Sequence, residues 1–255
     1  MKPMLDMYGG IFRVYDRLNA DIDYDAWANF VEEIFSKYSK REVKSVLDLA
    51  CGTGSMTLQL AKIGYDLTGV DLSPDMLSVA RQRASLEGLG DILWLMQDMR
   101  SFELYGTVDA VVCALDSLNY LRDTKELSCV FSLVNNYLDA GGVFVFDMNT
   151  PYKFENIFAD NAYVLEDEGV YCGWQNFYNE KTKRCDFYLT VFEEQEDGSY
   201  LRFDEEQTER CFSMRSVKKA LEESGFELCG VWAGYDFDEL AEDSERWYFA
   251  ARKNN

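Results

Sequence analysis

The sequence predicts an α/β fold: a doubly wound, mostly parallel seven-stranded sheet with an antiparallel β insert after its fifth strand. Three observations carry this. Short apolar runs alternate with stretches of helical spacing over residues 1–150. A block of aromatic and β-branched residues with polar alternation interrupts that rhythm over 151–212. Helix and strand patterns then return over 213–255. Strands separated by helices pair in parallel, because the crossover needs a helix, and this places helices on both faces of the sheet.

Each element has a local reason. Residues 43–50 form an apolar run between charge and glycine, hence the first strand, and 55–63 have helical spacing ended by Gly64. Residues 65–71 are the second strand. Ser73-Pro74-Asp75 reads as a helix cap followed by proline at the first helical position, opening a helix to about residue 87. Strands follow at 92–96 and 108–115. A helix over 123–138 stops before Gly141-Gly142, and 143–148 is the fifth strand. In the aromatic block, Asp197-Gly198 marks a hairpin turn between two strand-like runs. Residues 213–224 are helical up to Gly225, and 226–235 with 246–251 read as an antiparallel pair at the sheet end. The expected organisation is one domain from 1–150 and 213–255, with an N-terminal helical lid over about 1–40 and an inserted subdomain at 151–212. Tyr8, Phe12, Tyr15, Tyr24 and Trp27 lie on that N-terminal stretch, which is expected to cover one end of the sheet.

Composition narrows the function. A chain of 255 residues can bury roughly 70–75% of its unfolded surface. It has 25 basic and 46 acidic residues, a net charge of −21, so its field repels nucleic acid and anionic membranes. The seven cysteines are odd in number and contain no C-x-x-C pair, so buried reduced thiols are expected rather than disulfides or zinc. Histidine is absent, which removes the commonest metal ligand and general base, and no metal site is expected. No basic segment followed by an apolar run opens the chain, and no apolar stretch of about 18 residues occurs. The expectation is a cytoplasmic monomer or homodimer.

In parallel sheets, ligands bind beyond the C-terminal ends of the strands. The first strand ends in Asp48-Leu49-Ala50-Cys51-Gly52-Thr53-Gly54, where two glycines permit a tight turn and the next helix offers free N–H groups. The second strand ends in Asp71, a carboxylate suited to both hydroxyls of a ribose. A nicotinamide dinucleotide, and so an NAD-dependent oxidoreductase, fits less well. Thr57 stands where the dinucleotide fingerprint has its third glycine, and Asp48 would face a pyrophosphate. A cofactor with an amino acid moiety and no phosphate suits these residues better.

Together with Val70-Asp71-Leu72-Ser73-Pro74-Asp75-Met76-Leu77, Gln97-Asp98-Met99, Leu115-Asp116-Ser117-Leu118-Asn119-Tyr120 and Leu138-Asp139-Ala140-Gly141-Gly142, this turn resembles the class I S-adenosylmethionine-dependent methyltransferases. The resemblance covers about residues 40–150, and 213–253 by pattern. Tyr15-Asp16, Tyr24-x-x-Trp27 and the aromatic insert are similar to uncharacterised bacterial members of the small-molecule type. The resemblance implies a Rossmann-like fold with S-adenosyl-L-methionine as cofactor. It implies that the turn containing Ala50, Gly52, Thr53 and Gly54 packs against the methionine part. Asp48 would order that turn or reach the amino group. Asp71 would bind the ribose. Asp98 in Gln97-Asp98-Met99 would accept from the adenine amino group, with Leu72, Met76 and Met99 sandwiching the ring. Leu115 backbone would lie near the methionine end. Tyr15, as a lid residue, Asp116 and Tyr120 are the candidates near the transferred methyl. Simpler roles compete: core packing for Met76 and Tyr15, a helix cap for Asp71 and a surface charge for Asp98.

Methyl transfer from a sulfonium is an in-line displacement, in which alignment alone can supply about 7–11 kcal/mol. An amine acceptor needs little base assistance, whereas a hydroxyl needs a proton acceptor. The acidic composition favours a small-molecule acceptor, methylated on nitrogen or oxygen, over a protein and then an RNA. No Asn-Pro-Pro-Tyr, Asp-Pro-Pro-Tyr or Pro-Cys motif follows the fourth strand. A non-catalytic regulator that binds the cofactor is the other reading. The insert would wall the pocket, or form core or a dimer interface.

Overall fold

A computed structural model describes residues 10, 12 and 14–254; Tyr8 lies outside them. Two helices, α1 (Tyr15–Leu18) and α2 (Tyr24–Tyr38), precede the alternating region. That region runs β1 (Ser45–Leu49), α3 (Ser55–Ile63), β2 (Asp66–Asp71), α4 (Pro74–Leu86), β3 (Leu93–Met96), β4 (Val108–Cys113), α5 (Thr124–Tyr137) and β5 (Leu138–Asn149). Next come β6 (Ala162–Asp167), β7 (Val170–Asn179), β8 (Arg184–Glu194) and β9 (Tyr200–Arg210), then α6 (Met214–Glu223), β10 (Phe226–Trp232) and β11 (Arg246–Lys253).

Seven strands form one sheet in the order β10-β11-β5-β4-β1-β2-β3. Only β11 breaks the parallel pattern, running antiparallel to β5 and β10. The central β4 is buried along its whole length, and it is apolar apart from Asp109, which accepts from Lys44 N and Ser45 N at 2.9 Å. The caps fall where the sequence placed them. Ser73 accepts from Met76 N with Pro74 at the first helical position, and Gly64 ends α3 with φ 114°.

The sheet has two covered faces. Leu47, Leu49, Val111, Phe144, Phe146 and Phe249 pack beneath α5 and α6. Val46, Ala110, Val112 and Val145 pack beneath α2 and α3, with Trp27, Phe30, Val31 and Ile34 supplying the apolar stripe of α2. This corrects the expectation for the N-terminal stretch. Its long helix lies mainly on a sheet face, and it is α1 with Tyr15, the connection through Asn19, Asp21 and Ile22, and Tyr24 at the start of α2 that reach the strand ends where the cavities lie.

Residues 162–210 form a second, four-stranded antiparallel sheet in sequential order, with the β8–β9 turn at Asp197-Gly198. Side chains alternate: Cys172, Cys185, Phe187 and Val191 face inward against Phe154 and Phe158, and Tyr171, Phe177 and Tyr188 face outward. The inner edge is tied to the main sheet through β9. Asn119 Nδ2 donates to Arg210 O at 2.8 Å, Tyr120 OH to Gln207 Oε1 at 2.7 Å, and Asn149 Nδ2 to Glu209 Oε2 at 3.0 Å. All seven cysteines are free. Among the described residues, no helix is long and apolar enough to cross a membrane.

Candidate cofactor and acceptor site

The turn after β1 runs through three left-handed residues, Ala50, Gly52 and Gly54, at φ 60°, 54° and 80°. It is fixed by Cys51 N to Val70 O at 3.0 Å, Gly54 N to Cys51 O at 2.9 Å and Gly52 N to Asp71 Oδ2 at 2.8 Å. The two glycines serve different ends. A Cβ on Gly52 would meet nothing within 4 Å and would project into open space. A Cβ on Gly54 would lie 2.8 Å from the Trp94 ring and 3.2 Å from Ala80 Cβ. Gly54 therefore permits helix–strand packing and lines neither of the two cavities at the strand ends, where it was expected against the cofactor.

Two carboxylates flank the turn from beneath. Thr57 Oγ1 donates to Asp48 Oδ2 at 2.5 Å, and Asp48 Oδ1 is buried with no hydrogen-bond partner. Burial pushes the Asp48 carboxyl up to about 7; the Thr57 bond opposes this and the nearby Asp71 reinforces it. Asp71 holds the turn with one oxygen and accepts from Ser73 N with the other at 2.8 Å. Burial raises its carboxyl, and the N–H groups of Ser73, Gly52 and Leu72 oppose that.

A cavity of about 490 Å³ opens at the strand ends. Ala50, Gly52, Asp71, Leu72 and Met76 line it near the turn, and Gln97, Asp98 and Met99 line it after β3. Leu115, Asp116 and Tyr120 line it after β4, and Tyr15 covers it from α1. Met76 is at once core and cavity wall, packed with the insert's apolar cluster. Asp48 and Thr53 face a small adjoining pocket of about 30 Å³, which shares Tyr15, Ala50, Gly52 and Leu115 with the large one. Thr53 points its hydroxyl to Asp16 Oδ1 at 2.6 Å rather than into the main cavity. Asp16 also pairs with Arg83 at 3.0 Å, and Arg17 pairs with Asp167 of β6 at 2.8 Å, so α1 ties the glycine turn to the insert.

Two of the expected adenine-side groups are already engaged. Burial pushes the Asp98 carboxyl up, but Arg100, bound through Nε at 2.9 Å, outweighs it and holds the group below its ordinary value. The Gln97 amide closes the next loop, donating to Glu103 O at 3.0 Å and accepting from Glu103 N at 2.7 Å.

The far end of the cavity holds a charged cluster that sequence reading missed, apart from Asp116. Arg246 Nη1 lies 2.7 Å from Asp116 Oδ1 and also contacts Asp147 Oδ2, which accepts from Asp116 N at 3.0 Å. Burial raises Asp116, and Arg246 overrides it and holds the carboxyl down. Asp147 is fully buried, and burial pushes it up to about 6 against the pull of Arg246. Asn149, Lys153, Gln207 and Glu209 complete this end, with Trp174, Phe187 and Leu189 of the insert as its apolar wall. One signal was available: Asp147 is an acid inside the apolar run over 143–148, where only a partnered charge is stable.

Residues 46–142 match a family model described as a methyltransferase domain. The chain is 35% identical over 249 residues to YqeM of Bacillus subtilis (strain 168), which carries a methyltransferase name; the match covers 97% of this chain and 98% of that one. It superposes with TM-score 0.88 on a crystal structure of a S-adenosylmethionine-dependent methyltransferase from Clostridium acetobutylicum ATCC 824, at 30% identity over 97% of this chain and 99% of the other. The chain is a class I S-adenosylmethionine-dependent methyltransferase. Over 161 residues it is also 36% identical to the dTDP-3-amino-3,4,6-trideoxy-alpha-D-glucopyranose N,N-dimethyltransferase of Streptomyces venezuelae, covering 61% of this chain and 64% of that enzyme.

The residues present fit S-adenosylmethionine. Asp48 Oδ1 is an orphaned buried acceptor beside the glycine turn, matched to an ammonium group. Gly52 leaves a cradle that any Cβ would begin to fill. Thr57, 0% exposed, occupies the third-glycine position with a hydroxyl that orients Asp48, a role for which glycine has no donor.

Proposed function

We propose that this methyltransferase acts on a small molecule held between the strand ends and the inserted sheet. One observation carries the reading: the cavity that begins at the glycine turn continues to a compartment walled by Trp174, Phe187 and Leu189, at a volume typical of small-molecule sites. The amino-sugar enzyme among its relatives and the net charge of −21 support the same class of acceptor.

When bound, S-adenosylmethionine supplies a methyl group on a positively charged sulfur that departs as a neutral thioether. The protein's own part is placement. Asp48, with Thr53 and Gly54 shaping the turn above it, holds the amino acid end. Asp71 offers its remaining lone pairs to the ribose. Leu72, Met76 and Met99 form the slot for the base, with Gln97 ordering the adjacent loop and Asp98 at its polar edge. Tyr15 and Leu115 close the site where the two pockets meet, and Ala50 turns the backbone towards it. Tyr120 and Asp116 stand at the start of the acceptor compartment, Asp116 with its charge committed to Arg246. The enclosing residues exclude water and align the acceptor, the largest contribution such a reaction needs.

The test is label transfer from methyl-labelled S-adenosylmethionine in the presence of a metabolite extract, bulk tRNA or bulk protein. Label is expected in the low-molecular-weight fraction. Label found only in macromolecules overturns this reading.

A further inference from the structure

Resting on the small-molecule reading, we propose that the methyl acceptor is an amine and that Glu209 takes the proton its nitrogen must lose before methylation. Glu209 is 5% exposed yet lines the cavity, reaching across from β9 of the insert to the ends of β4 and β5. Asn149 donates to its Oε2 at 3.0 Å, and the carboxyl shares a second hydrogen bond with Asp116 at the cavity wall, the contact that a ligand nitrogen would replace. The groups facing it are Asp116 after β4, Asn149 on β5, Lys153 after β5, Cys185 on β8 and Arg246 on β11, with Asp147 behind Arg246.

Charge counting identifies the guest. Arg246 is shared between Asp116 and Asp147. Lys153 lines the same cavity, its ammonium 5.1 Å from the centre of the Phe158 ring and without a hydrogen bond or ion pair of its own among the described residues. Arg246 and Lys153 thus stand against Asp116, Asp147 and Glu209, so with the neutral thioether of S-adenosylhomocysteine bound, an ionised Glu209 leaves the compartment one positive charge short. An ammonium supplies that charge, and a hydroxyl does not. Burial and the neighbouring Asp116 raise the Glu209 carboxyl well above its ordinary range, while Asn149, Lys153 and Arg246 oppose them, so the group holds a proton readily. The step balances. An N–H proton passes from the ammonium to Glu209 Oε1. The freed lone pair forms the N–C bond as the C–S bond breaks, and that bonding pair stays on sulfur. The positive charge moves from sulfur to nitrogen.

The test uses the full chain saturated with S-adenosylhomocysteine and carbon-13 in the glutamate carboxyls, with the Glu209 signal assigned by its loss in Glu209→Gln. The carboxyl is expected to titrate above the ordinary carboxylate range, and dimethylammonium chloride is expected to move its signal towards the carboxylate position. Sodium chloride and the neutral 2-propanol are expected to leave it unmoved. A signal insensitive to dimethylammonium, or moved equally by 2-propanol, overturns the proposal. In label transfer, Glu209→Gln should slow methylation of small molecules by about 100-fold or more and flatten its pH profile, with S-adenosylhomocysteine affinity unchanged and partial rescue by Glu209→Asp. Wild-type products methylated on oxygen, or an unaltered rate and pH profile in Glu209→Gln, overturn it as well. Label confined to macromolecules removes the small-molecule reading and this inference together. An unmoved Glu209 signal beside labelled small molecules removes the inference alone.

Discussion

The Thr57 hydroxyl lies 2.5 Å from Asp48 Oδ2, with both side chains sealed from solvent. Among the described residues it is the one side-chain donor fixing Asp48, while the other carboxyl oxygen stays without a partner. Thr57→Val keeps the shape and removes the donor. Affinity for S-adenosylhomocysteine should fall by about 1–3 kcal/mol in calorimetry, and Thr57→Ser should retain most of it. Wild-type affinity in Thr57→Val would show that Asp48 needs no such anchor.

Asp48 also sets a pH dependence. Its folded value, about 7, is raised above the ordinary 3.8 by burial. In the unliganded protein the raised carboxyl contributes stability that is fully present below the unfolded value and is lost as pH rises through about 7. An ammonium at Oδ1 favours the ionised form, so binding runs the opposite way: affinity should climb as pH rises towards about 7 and level off above it, with a proton released. Titration calorimetry in buffers of different ionisation enthalpy reads that proton. Asp48→Asn should bind more weakly and with a flat profile.

Asp71 accepts from Gly52 N of the turn and from Ser73 N after β2 as well as facing the cavity. Asp71→Ala strands both, so cofactor affinity should drop by roughly 1–3 kcal/mol while the sheet persists by circular dichroism. Unchanged affinity refutes its placement at the ribose.

Gly52 and Gly54 should separate binding from stability. Gly52→Val meets no neighbour, so the protein should fold with only the cost of a left-handed valine, yet take up no cofactor. Gly54→Ala must displace the Trp94 ring from 2.8 Å, so its thermal midpoint should fall further than that of Gly52→Ala. The reverse ranking would mean that the turn is oriented otherwise.

The first half of the chain was legible because its signals are local. A cap, a proline and a closing glycine bound α4 and α3, and the residues on the turn and after β2 and β3 are fixed by the strand ends that carry them. The acceptor end was not legible. Lys153, Glu209 and Arg246 come from three elements far apart in sequence, and each looks like an ordinary polar position until β9 docks on the ends of β4 and β5. Likewise, nothing local shows that Gly54 meets Trp94 or that Asp98 is taken by Arg100, since both depend on how a neighbouring side chain folds back.

Arg246 offers the sharpest test of that distant arrangement. Its guanidinium is 19% exposed and neutralises Asp147, at 0%, and Asp116, at 16%. Arg246→Met fills similar space but leaves two buried carboxyls beside each other. Breaking a buried pair from one side costs about 3–5 kcal/mol, so the urea midpoint should fall steeply at neutral pH. Acidification should recover part of that loss, because Asp147 then takes a proton; burial already raises it to about 6 with Arg246 present, and removing the cation raises it further. Asp147→Asn should relieve Arg246→Met in the double variant, giving a total below the sum of the single effects. Strict additivity, or a loss under about 1 kcal/mol for Arg246→Met, would dissolve the triad as a structural unit.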